Sequence, residues 1–414
     1  MKKIYFFALF ILSANLSLNA QTFTNYTTAN SNIPNDMVSA VAVDGNNNIW
    51  LATDGGVAKF DGTNWTKYDV SNSGLPNDYI ISIAVDNSNN IWAGTDGDGV
   101  LKFDGTTWTT YNVTNTSNLC DNAIHYIASS DDGYVWFGSW GNGISRLKLS
   151  DTTWTKYVSE LPSDGGSPAS IYYIYIDNAN HVWFATNLGL VYYDNSSFTT
   201  ITTGLSTLLT RSIAIDANNN KYIGLDMTGV DKLDASNAFV ANYDKDNGLD
   251  DAGVTDTKFD SKGNLWIAQF TSYGPTVVVG GITKFNTTAG SGITYSETHG
   301  LNNEFVYKIA IDSDDNIWLA TAGGLSKFAN TDGINENINK MMLEVYPNPV
   351  KNLLNIKGNI SSGVIEITDI SGKTVLTQII NSGNKINVEK LIKGIYFIQI
   401  MSEDAIYHSK FIKE

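Results

Sequence analysis

Short apolar runs separated by polar turn residues fill most of the chain. In one such stretch Tyr79 to Val85 is apolar-rich and Ile91 to Thr95 carries a tryptophan. Val100 to Gly105 then ends in a Phe-Asp-Gly turn, and Trp108 to Tyr111 is aromatic. Runs of this length between Asp, Asn and Gly are typical of β-hairpins and not of helices. The pattern therefore predicts units of four short strands.

This four-strand unit occurs seven times between residues 21 and 330. Each unit has an aromatic residue after an Asp-Asn turn, at Trp50, Trp92, Trp136, Trp183, Tyr222, Trp266 and Trp318. Each also has an apolar residue in a preceding turn, at Ile33, Leu75, Leu119, Leu161, Leu205, Leu249 and Leu301. The two positions are 17 residues apart in six units and 22 apart in the fourth. Four strands per unit of this size indicate a propeller blade, so we predict an all-β, seven-bladed β-propeller.

The two ends of the repeat array complement each other. The last unit has three strand patterns, whereas Phe23 to Tyr26 has the pattern of a fourth strand. We therefore predict that residues 22–27 complete the seventh blade, which removes two open sheet edges. The repeated tryptophans indicate packing between sheets. The Asp-Asn runs indicate tight turns, although residues 312–316 faintly resemble a calcium loop.

Two segments of the repeat resemble a known family. Asn48-Ile-Trp-Leu-Ala-Thr-Asp-Gly-Gly56 and Lys59-Phe-Asp-Gly62 are similar to the repeats of two-component-regulator propellers. In that family such propellers often form the extracytoplasmic sensor of hybrid kinases. Because the resemblance covers residues 21–330 and stops at the propeller, we expect no sensor-kinase role.

Composition changes after the repeats. An Asn-rich linker is predicted at 331–341, and a second domain of short strands, an Ig-like β-sandwich, at 342–414. This tail resembles the type IX secretion C-terminal sorting domain (type A). The resemblance implies the type IX secretion machinery as a partner, removal of the tail, a secreted or cell-surface location and a Bacteroidetes-like source. The matching sorting-motif residues are Tyr346, Pro347, Asn348, Pro349, Asp369, Gly372, Lys373, Gly394 and Tyr396.

The first 20 residues have the pattern of a secretory signal peptide. Lys2 and Lys3 precede a mostly apolar stretch, and Ala20 stands before the predicted cleavage point. No later run approaches 18 consecutive apolar residues, so no transmembrane segment is predicted in the mature chain.

Charge and composition limit the chemistry that the protein can perform. The formal net charge is −16, which argues against nucleic acid as a partner because phosphate binding needs clustered Lys and Arg. A single cysteine excludes an intrachain disulfide. No nucleophile elbow or phosphate-binding glycine loop is present. We therefore predict no catalytic residue, no cofactor and no metal site, and we expect a monomer.

Irregularities in the repeat point to a binding face. Extra residues lie at 162–170, before the fourth blade, and at 269–281, between the second and third strands of the sixth. Both insertions are predicted to lie on the same face of the propeller. The aromatic residues in or beside these insertions are the predicted ligand-binding set: Trp140, Tyr172, Tyr173, Phe270 and Tyr273. Tyr172 and Tyr173 could equally be ordinary strand residues.

An aromatic-lined face suits a carbohydrate or a peptide better than a polyanion. The sequence therefore favours a ligand-binding or interaction module for a glycan or extracellular polymer. Two alternatives stay open: a propeller lyase acting on a polysaccharide or an antibiotic, and a surface adhesin or scaffold that binds protein.

Overall fold

The computed structural model describes residues 23–246, 249, 253–272, 278–329, 340–357, 363–369, 374–380, 385–401 and 406–414. These residues form two compact units, one before residue 331 and one after it. Across these ranges, no helix is both long and apolar enough to cross a membrane. The predicted signal peptide at 1–20 lies outside the described residues, as does most of the predicted linker.

The first unit consists of seven four-stranded antiparallel sheets. The strand β1 (Phe23–Tyr26) belongs to the seventh sheet, and the other strands follow in chain order. Blades 1 to 3 contain β2 (Val38–Val43), β3 (Ile49–Thr53), β4 (Gly56–Phe60), β5 (Trp65–Tyr68), β6 (Ile80–Val85), β7 (Ile91–Thr95), β8 (Val100–Phe103), β9 (Trp108–Tyr111), β10 (Tyr126–Ser129), β11 (Tyr134–Gly138), β12 (Ile144–Lys148) and β13 (Thr153–Tyr157).

The remaining blades follow the same plan. A two-stranded hairpin, β14 (Ser163–Asp164) and β15 (Ser167–Pro168), precedes blade 4, and a 3₁₀ turn at Glu297–His299 precedes blade 7. Blades 4 to 7 contain β16 (Ile171–Ile176), β17 (Val182–Thr186), β18 (Gly189–Tyr193), β19 (Phe198–Ile201), β20 (Thr210–Ile215), β21 (Lys221–Leu225), β22 (Val230–Leu233), β23 (Phe239–Tyr243), β24 (Val254–Phe259), β25 (Leu265–Ser272), β26 (Val278–Asn286), β27 (Ser291–Tyr295), β28 (Val306–Ile311), β29 (Ile317–Thr321) and β30 (Gly324–Phe328).

The repeated Asp-to-Trp spacing forms a hydrogen-bonded turn. In blade 1, Oδ1 of Asp44 accepts the backbone N–H groups of Asn46 and Asn48, each at 2.9 Å. Its Oδ2 accepts the indole N–H of Trp50, also at 2.9 Å. The same indole-to-carboxylate bond occurs in blades 2, 4, 6 and 7. The interpretation of the Asp-Asn runs as turns is therefore confirmed.

Replacing Asp86 with Asn tests the importance of this turn for stability. Asp86 is 4% exposed and its Oδ2 accepts the indole N–H of Trp92 at 2.8 Å. The amide nitrogen of an Asn side chain in that place cannot accept a hydrogen bond, so the buried indole N–H of Trp92 loses its partner. We expect Asp86→Asn to lower the free energy of unfolding by about 1–3 kcal/mol, measured by denaturant titration.

A matched control separates this effect from loss of charge alone. Asp61 lies in an exposed turn, where Oδ1 accepts the N–H groups of Thr63 and Asn64. Asn can keep both of those bonds through its own Oδ1. Asp61→Asn should therefore change stability by less than about 0.5 kcal/mol. Equal losses in the two variants would show that the indole contact contributes little.

The repeated aromatic residues lie between neighbouring blades. Trp50 packs with Ile83, Ile91 and Phe103 of the following blade. All seven repeated aromatics are buried, with exposures of 3% or less. The prediction that they serve packing between sheets is therefore confirmed. The first strands of adjacent blades also contact each other, so they line a central channel.

The strand β1 closes the ring as predicted. Its four residues pair antiparallel with β30, from Phe23 opposite Phe328 to Tyr26 opposite Leu325. Tyr26 stacks on Trp318 at a centroid distance of 6.0 Å and also contacts Trp65 of blade 1 at 5.4 Å. The first strand of the chain thus joins blade 7 to blade 1.

Acid should weaken the propeller, because several turn carboxylates are stabilised in their charged form. The Ser71 hydroxyl and Lys67 hold the pKa of Asp69 to about 2, and Thr153 and Lys148 do the same for Asp151. Burial raises the pKa of Asp44, but the hydrogen bonds of its turn outweigh burial and lower it.

A pKa lowered on folding adds stability above the ordinary Asp value of about 4, and that stability is lost as the pH falls toward about 2. We therefore expect the melting temperature to fall steadily from about pH 4 to about pH 2, measured by calorimetry. A melting temperature that stays constant over this range would contradict the assignment.

The second unit is a β-sandwich of a five-stranded and a three-stranded sheet. Side chains from both sheets share one apolar core that includes Leu354, Ile365 and Phe411. Its strands are β31 (Lys340–Met342), β32 (Glu344–Tyr346), β33 (Leu353–Lys357), β34 (Gly363–Asp369), β35 (Thr374–Ile380), β36 (Lys385–Asn387), β37 (Gly394–Met401) and β38 (Ile406–Lys413). The predicted fold class, an all-β propeller followed by a β-sandwich, is confirmed.

The motif at 346–349 holds the last strand of this unit. The side chain of Asn348 donates to the carbonyl of Lys410 at 3.1 Å and accepts the N–H of Ile412 at 2.9 Å. Further along the unit, the Tyr396 hydroxyl donates to the carbonyl of Ile392 at 2.8 Å, and its ring stacks on Phe411. Asp369 ends β34 and Gly394 begins β37, whereas Gly372 and Lys373 lie outside the described residues.

Candidate functional site

Two sets of loops shape one end of the propeller. Strand direction alternates within each blade, so the loops leading into first strands emerge on the same face as those joining second and third strands. The β14–β15 hairpin belongs to the first set. The insertion at 269–281 belongs to the second set, between a second and a third strand, and it lengthens β25 to 8 residues and β26 to 9 residues. The strand order thus puts both insertions at this face, while residues 273–277 lie outside the described part of the chain.

A pocket of about 790 Å³ lies at this end, and we call it the mouth pocket. All seven blades contribute to its lining, so its shape depends on the closed ring. Its lining residues are Met37, Ser39, Asp54, Tyr79, Ile81, His125, Trp140, Tyr172, Arg211, Asp226, Met227, Gly253, Val254, Thr255, Phe270, Tyr307 and Lys308.

One repeat position supplies a ring of seven of these residues. The position lies eleven residues before the repeated aromatic in every blade. In six blades the pairing register of the first two strands shifts at this residue, which is a β-bulge. Bulges redirect side chains and are frequent at the rims of barrels and next to active sites. The ring consists of Ser39, Ile81, His125, Tyr172, Arg211, Thr255 and Tyr307.

An exposed tryptophan stands on one side of the mouth pocket. Trp140 follows β11 and is 54% exposed. The imidazole of His125 stacks on its indole at a centroid distance of 3.7 Å with an interplanar angle of 1°. Burial lowers the pKa of His125, and the charges of Asp96 and Asp121 partly offset this effect. The indole is thus held in a defined orientation while much of its surface stays open.

A charged pair supports the neighbouring aromatic residue. The edge of Tyr172 faces Trp140 at a centroid distance of 6.2 Å. The Arg211 guanidinium lies 4.2 Å from the centroid of the Tyr172 ring and forms an ion pair with Asp226 at 3.2 Å. Arg211 and Asp226 are each one-third exposed, so they offer polar groups to a ligand beside two aromatic surfaces.

Further aromatic and polar groups complete the lining. Phe270, near the end of β25, contacts Phe305 at 4.8 Å and Tyr307 at 6.4 Å between ring centroids. Burial raises the pKa of Asp54, and its buried Oδ1 has no hydrogen-bond partner among the described residues. Burial and the Asp54 charge together raise the pKa of Tyr79 and of Tyr307. The pocket therefore combines flat apolar surfaces with carboxyl, hydroxyl and guanidinium groups.

Below the mouth pocket lies the central channel, with a cavity of about 430 Å³ lined by the first strands. Ile81, His125 and Lys308 belong to both linings, so the two spaces adjoin. The Tyr126 and Tyr173 rings pack at this level with a centroid distance of 4.5 Å. Burial and the charge of Asp256 raise the pKa of Tyr173 well above its ordinary value.

The structure separates the five predicted ligand-binding residues. Trp140, Tyr172 and Phe270 come together in the mouth pocket. Tyr173 is fully buried at 0% exposure and is not among the residues that line this pocket. It follows Tyr172 directly, but the bulge between Ile171 and Tyr173 turns the two side chains toward different surroundings. Tyr273 lies outside the described residues.

Sequence reasoning missed several residues of the pocket. The residues His125, Arg211 and Tyr307 lie at regular positions of the repeat. A search for insertions and other departures from the repeat therefore did not reveal them. Comparing the blades at the position eleven residues before the aromatic would have revealed them. At that position the residue type varies from Ser to Arg, whereas the residue before it is apolar in six of the seven blades and is Thr210 in the fifth.

Comparisons with known families agree with this architecture. Residues 344–414 match the secretion system C-terminal sorting domain. The segments 32–55, 74–97 and 300–323 match the two component regulator propeller. The protein is therefore a β-propeller that carries a type IX sorting domain and is exported to the cell surface or beyond it. No curated protein matches the chain in sequence.

Solved structures share the fold at low sequence identity. PorZ, an essential bacterial surface component of the type IX secretion system of Porphyromonas gingivalis, is 17% identical with a TM-score of 0.61, over 93% of this chain and 60% of that one. The extracellular domain of a putative hybrid two component system from B. thetaiotaomicron is 16% identical with a TM-score of 0.57, over 94% of this chain and 53% of that one.

Virginiamycin B lyase from Staphylococcus aureus is 14% identical with a TM-score of 0.55, over 75% of this chain and 99% of that one. At these identities the likeness extends to the fold alone. The chain spans less than two thirds of the length of the first two structures.

Proposed function

We propose that the protein is an exported binding module whose propeller holds a glycan or another extracellular polymer in the mouth pocket. The observation that carries this proposal is the exposed indole of Trp140, oriented by His125 inside a pocket to which all seven blades contribute. Sugar rings present flat C–H faces and hydroxyl edges. An aromatic surface bordered by polar groups complements both.

The polar groups of the pocket support a carbohydrate over a purely apolar ligand. Arg211 and Asp226 stand beside Tyr172, and the carboxyl of Asp54 belongs to the same lining. A ligand hydroxyl can accept a hydrogen bond from the guanidinium of Arg211 or donate one to the carboxylate of Asp226, since both side chains are one-third exposed. An aliphatic ligand would leave these groups without new partners.

Affinity electrophoresis tests the proposal. The protein is run through native gels that contain one polysaccharide each, covering neutral and acidic polymers of plant, algal and bacterial origin. We expect retardation on at least one polymer and release by its soluble oligosaccharides. Unchanged mobility on every polymer would contradict the glycan proposal and favour a surface adhesin or scaffold that binds protein.

The same polymers test the lyase alternative. A polysaccharide lyase cleaves by elimination, so it shortens the chain and leaves an unsaturated sugar at each new end. In the described residues, no group of three or more His, Cys, Asp or Glu side chains is arranged to hold a metal ion. We expect retardation without shortening of the polymer. Unsaturated products that increase with incubation time would replace the binding proposal with the lyase.

A further inference from the structure

A lysine occupies the junction between the mouth pocket and the channel. Lys308 belongs to the lining of both spaces. Its ammonium lies 4.7 Å from the ring centroid of Tyr126 and 4.9 Å from that of Tyr173. These cation–π contacts offset only part of the loss of water around a buried charge.

The surroundings of Lys308 leave its charge under-compensated. The oxygens of Asp256 accept the backbone N–H groups of Thr257 and Ile309, each at 2.8 Å. Over the described ranges, Lys308 forms no ion pair with a carboxylate. Burial lowers the pKa of Lys308; the charge of Asp256 opposes this, whereas Lys258 and Arg211 add to it.

The other charged groups of the mouth pocket do not supply the missing partner. Asp226 is paired with Arg211. Asp54 is a desolvated carboxyl whose pKa is raised by burial. A chain with a formal net charge of −16 therefore presents, at the bottom of its pocket, an ammonium group that no carboxylate of the described residues reaches within ion-pairing distance, although the charge of Asp256 acts on it. A partly desolvated ammonium gains most from an anionic ligand group that reaches it.

We infer that the ligand is an acidic glycan and that the carboxylate of a uronic acid unit binds the ammonium of Lys308 while a sugar ring lies against Trp140. This inference rests on the proposed function and narrows it to one class of polymer. It predicts a preference for the charged sugar that depends on one lysine. This preference departs from the expectation that the aromatic-lined face suits a polyanion poorly, because Lys308 supplies a local positive charge in a chain whose formal net charge is −16.

The test compares acidic polymers with their own neutral forms. Polygalacturonate, alginate and hyaluronan are each run in affinity gels beside the same polymer with its carboxyl groups reduced to alcohols. We expect at least one acidic polymer to bind about tenfold or more tightly than its reduced form. Lys308→Met should remove this preference and leave binding of the reduced polymer nearly unchanged.

Lys327→Met is the matched control. Lys327 also stands over an aromatic ring, with its ammonium 5.1 Å from the centroid of Trp318, but it is not among the residues lining the mouth pocket. Its replacement removes the same charge from the same blade and should keep the preference for the acidic polymer.

The outcomes separate the two proposals. Equal binding of acidic and reduced polymers would overturn the inference and leave the proposed function standing. A preference that survives in Lys308→Met would also overturn it. Binding of neither form would overturn the inference, and unchanged mobility on the whole panel of neutral and acidic polymers would overturn the proposed function as well. The wild-type comparison can overturn the inference even when the variant does not fold, because the inference requires the preference in the wild type.

Discussion

Removal of residues 21–30 is expected to lower the melting temperature of the propeller by about 10 °C or more. The deletion removes β1, and with it the fourth strand of blade 7. Phe23 packs against Phe328 at 5.1 Å and Tyr295 at 6.4 Å between ring centroids, so its loss exposes apolar surface of blades 6 and 7. Removing one buried aromatic side chain costs about 3–5 kcal/mol, and the deletion removes two that are partly buried.

The deletion also breaks polar contacts that no other segment can replace. The side chain of Asn25 donates to the carbonyl of Gly300 at 2.8 Å and accepts from the Ser326 hydroxyl at 2.7 Å. With β1 absent, β30 presents unpaired backbone groups at a sheet edge, which favours association with other chains. The deleted protein should therefore also aggregate on heating.

Thr24→Ala is the control for the closing strand. Thr24 is the exposed residue of β1, and its replacement keeps the backbone pairing with Lys327. The melting temperature of the Thr24→Ala variant, measured by calorimetry, should stay within about 2 °C of that of the wild type. A deletion variant that melts like the wild type would contradict the role of β1 in closing the ring.

Trp140→Ala is expected to weaken binding of the retained polymer by about 10- to 100-fold. The indole is the most exposed aromatic surface of the mouth pocket, and its plane is fixed by the stack on His125. A fixed aromatic surface loses little conformational freedom when a ligand binds, so most of its contact energy contributes to affinity. Because the side chain is 54% exposed, its removal should change the melting temperature little.

Phe239→Ala is the matched control for this loss. Phe239 is 48% exposed at the start of β23, and it is not among the residues lining the mouth pocket. Its replacement removes a similar exposed aromatic surface and should keep the dissociation constant within about twofold in titration calorimetry. Equal weakening by both replacements would indicate nonspecific adsorption to aromatic surface.

The regular part of the molecule could be predicted from the sequence because the repeated residues form hydrogen bonds within a single turn. Asp44 and Trp50 form a bond within one turn, so their spacing is visible along the chain. The closing strand was also predictable, since Phe23 and Tyr26 repeat the pattern of a fourth strand. The signal peptide at 1–20, the linker at 331–341 and the domain limits beside them stay predictions.

The pocket could be predicted only in part, because it is formed by residues that are distant in sequence. Trp140 and Phe270 drew attention because they broke the repeat. Arg211 and Lys308 occupy ordinary repeat positions, and their meaning depends on which side chains the other blades bring opposite them. Tyr172 and Tyr173 are adjacent in sequence, and only the bulge in the paired strands decides which of them reaches the pocket.

A crystal structure of the protein with the shortest retained oligosaccharide bound would show directly whether the mouth pocket holds the glycan. We expect a sugar ring parallel to the indole of Trp140, with its edge toward Tyr172 and Arg211, inside the mouth pocket. Sugar density on the opposite face of the propeller, or along the outer strands of the blades, would contradict it.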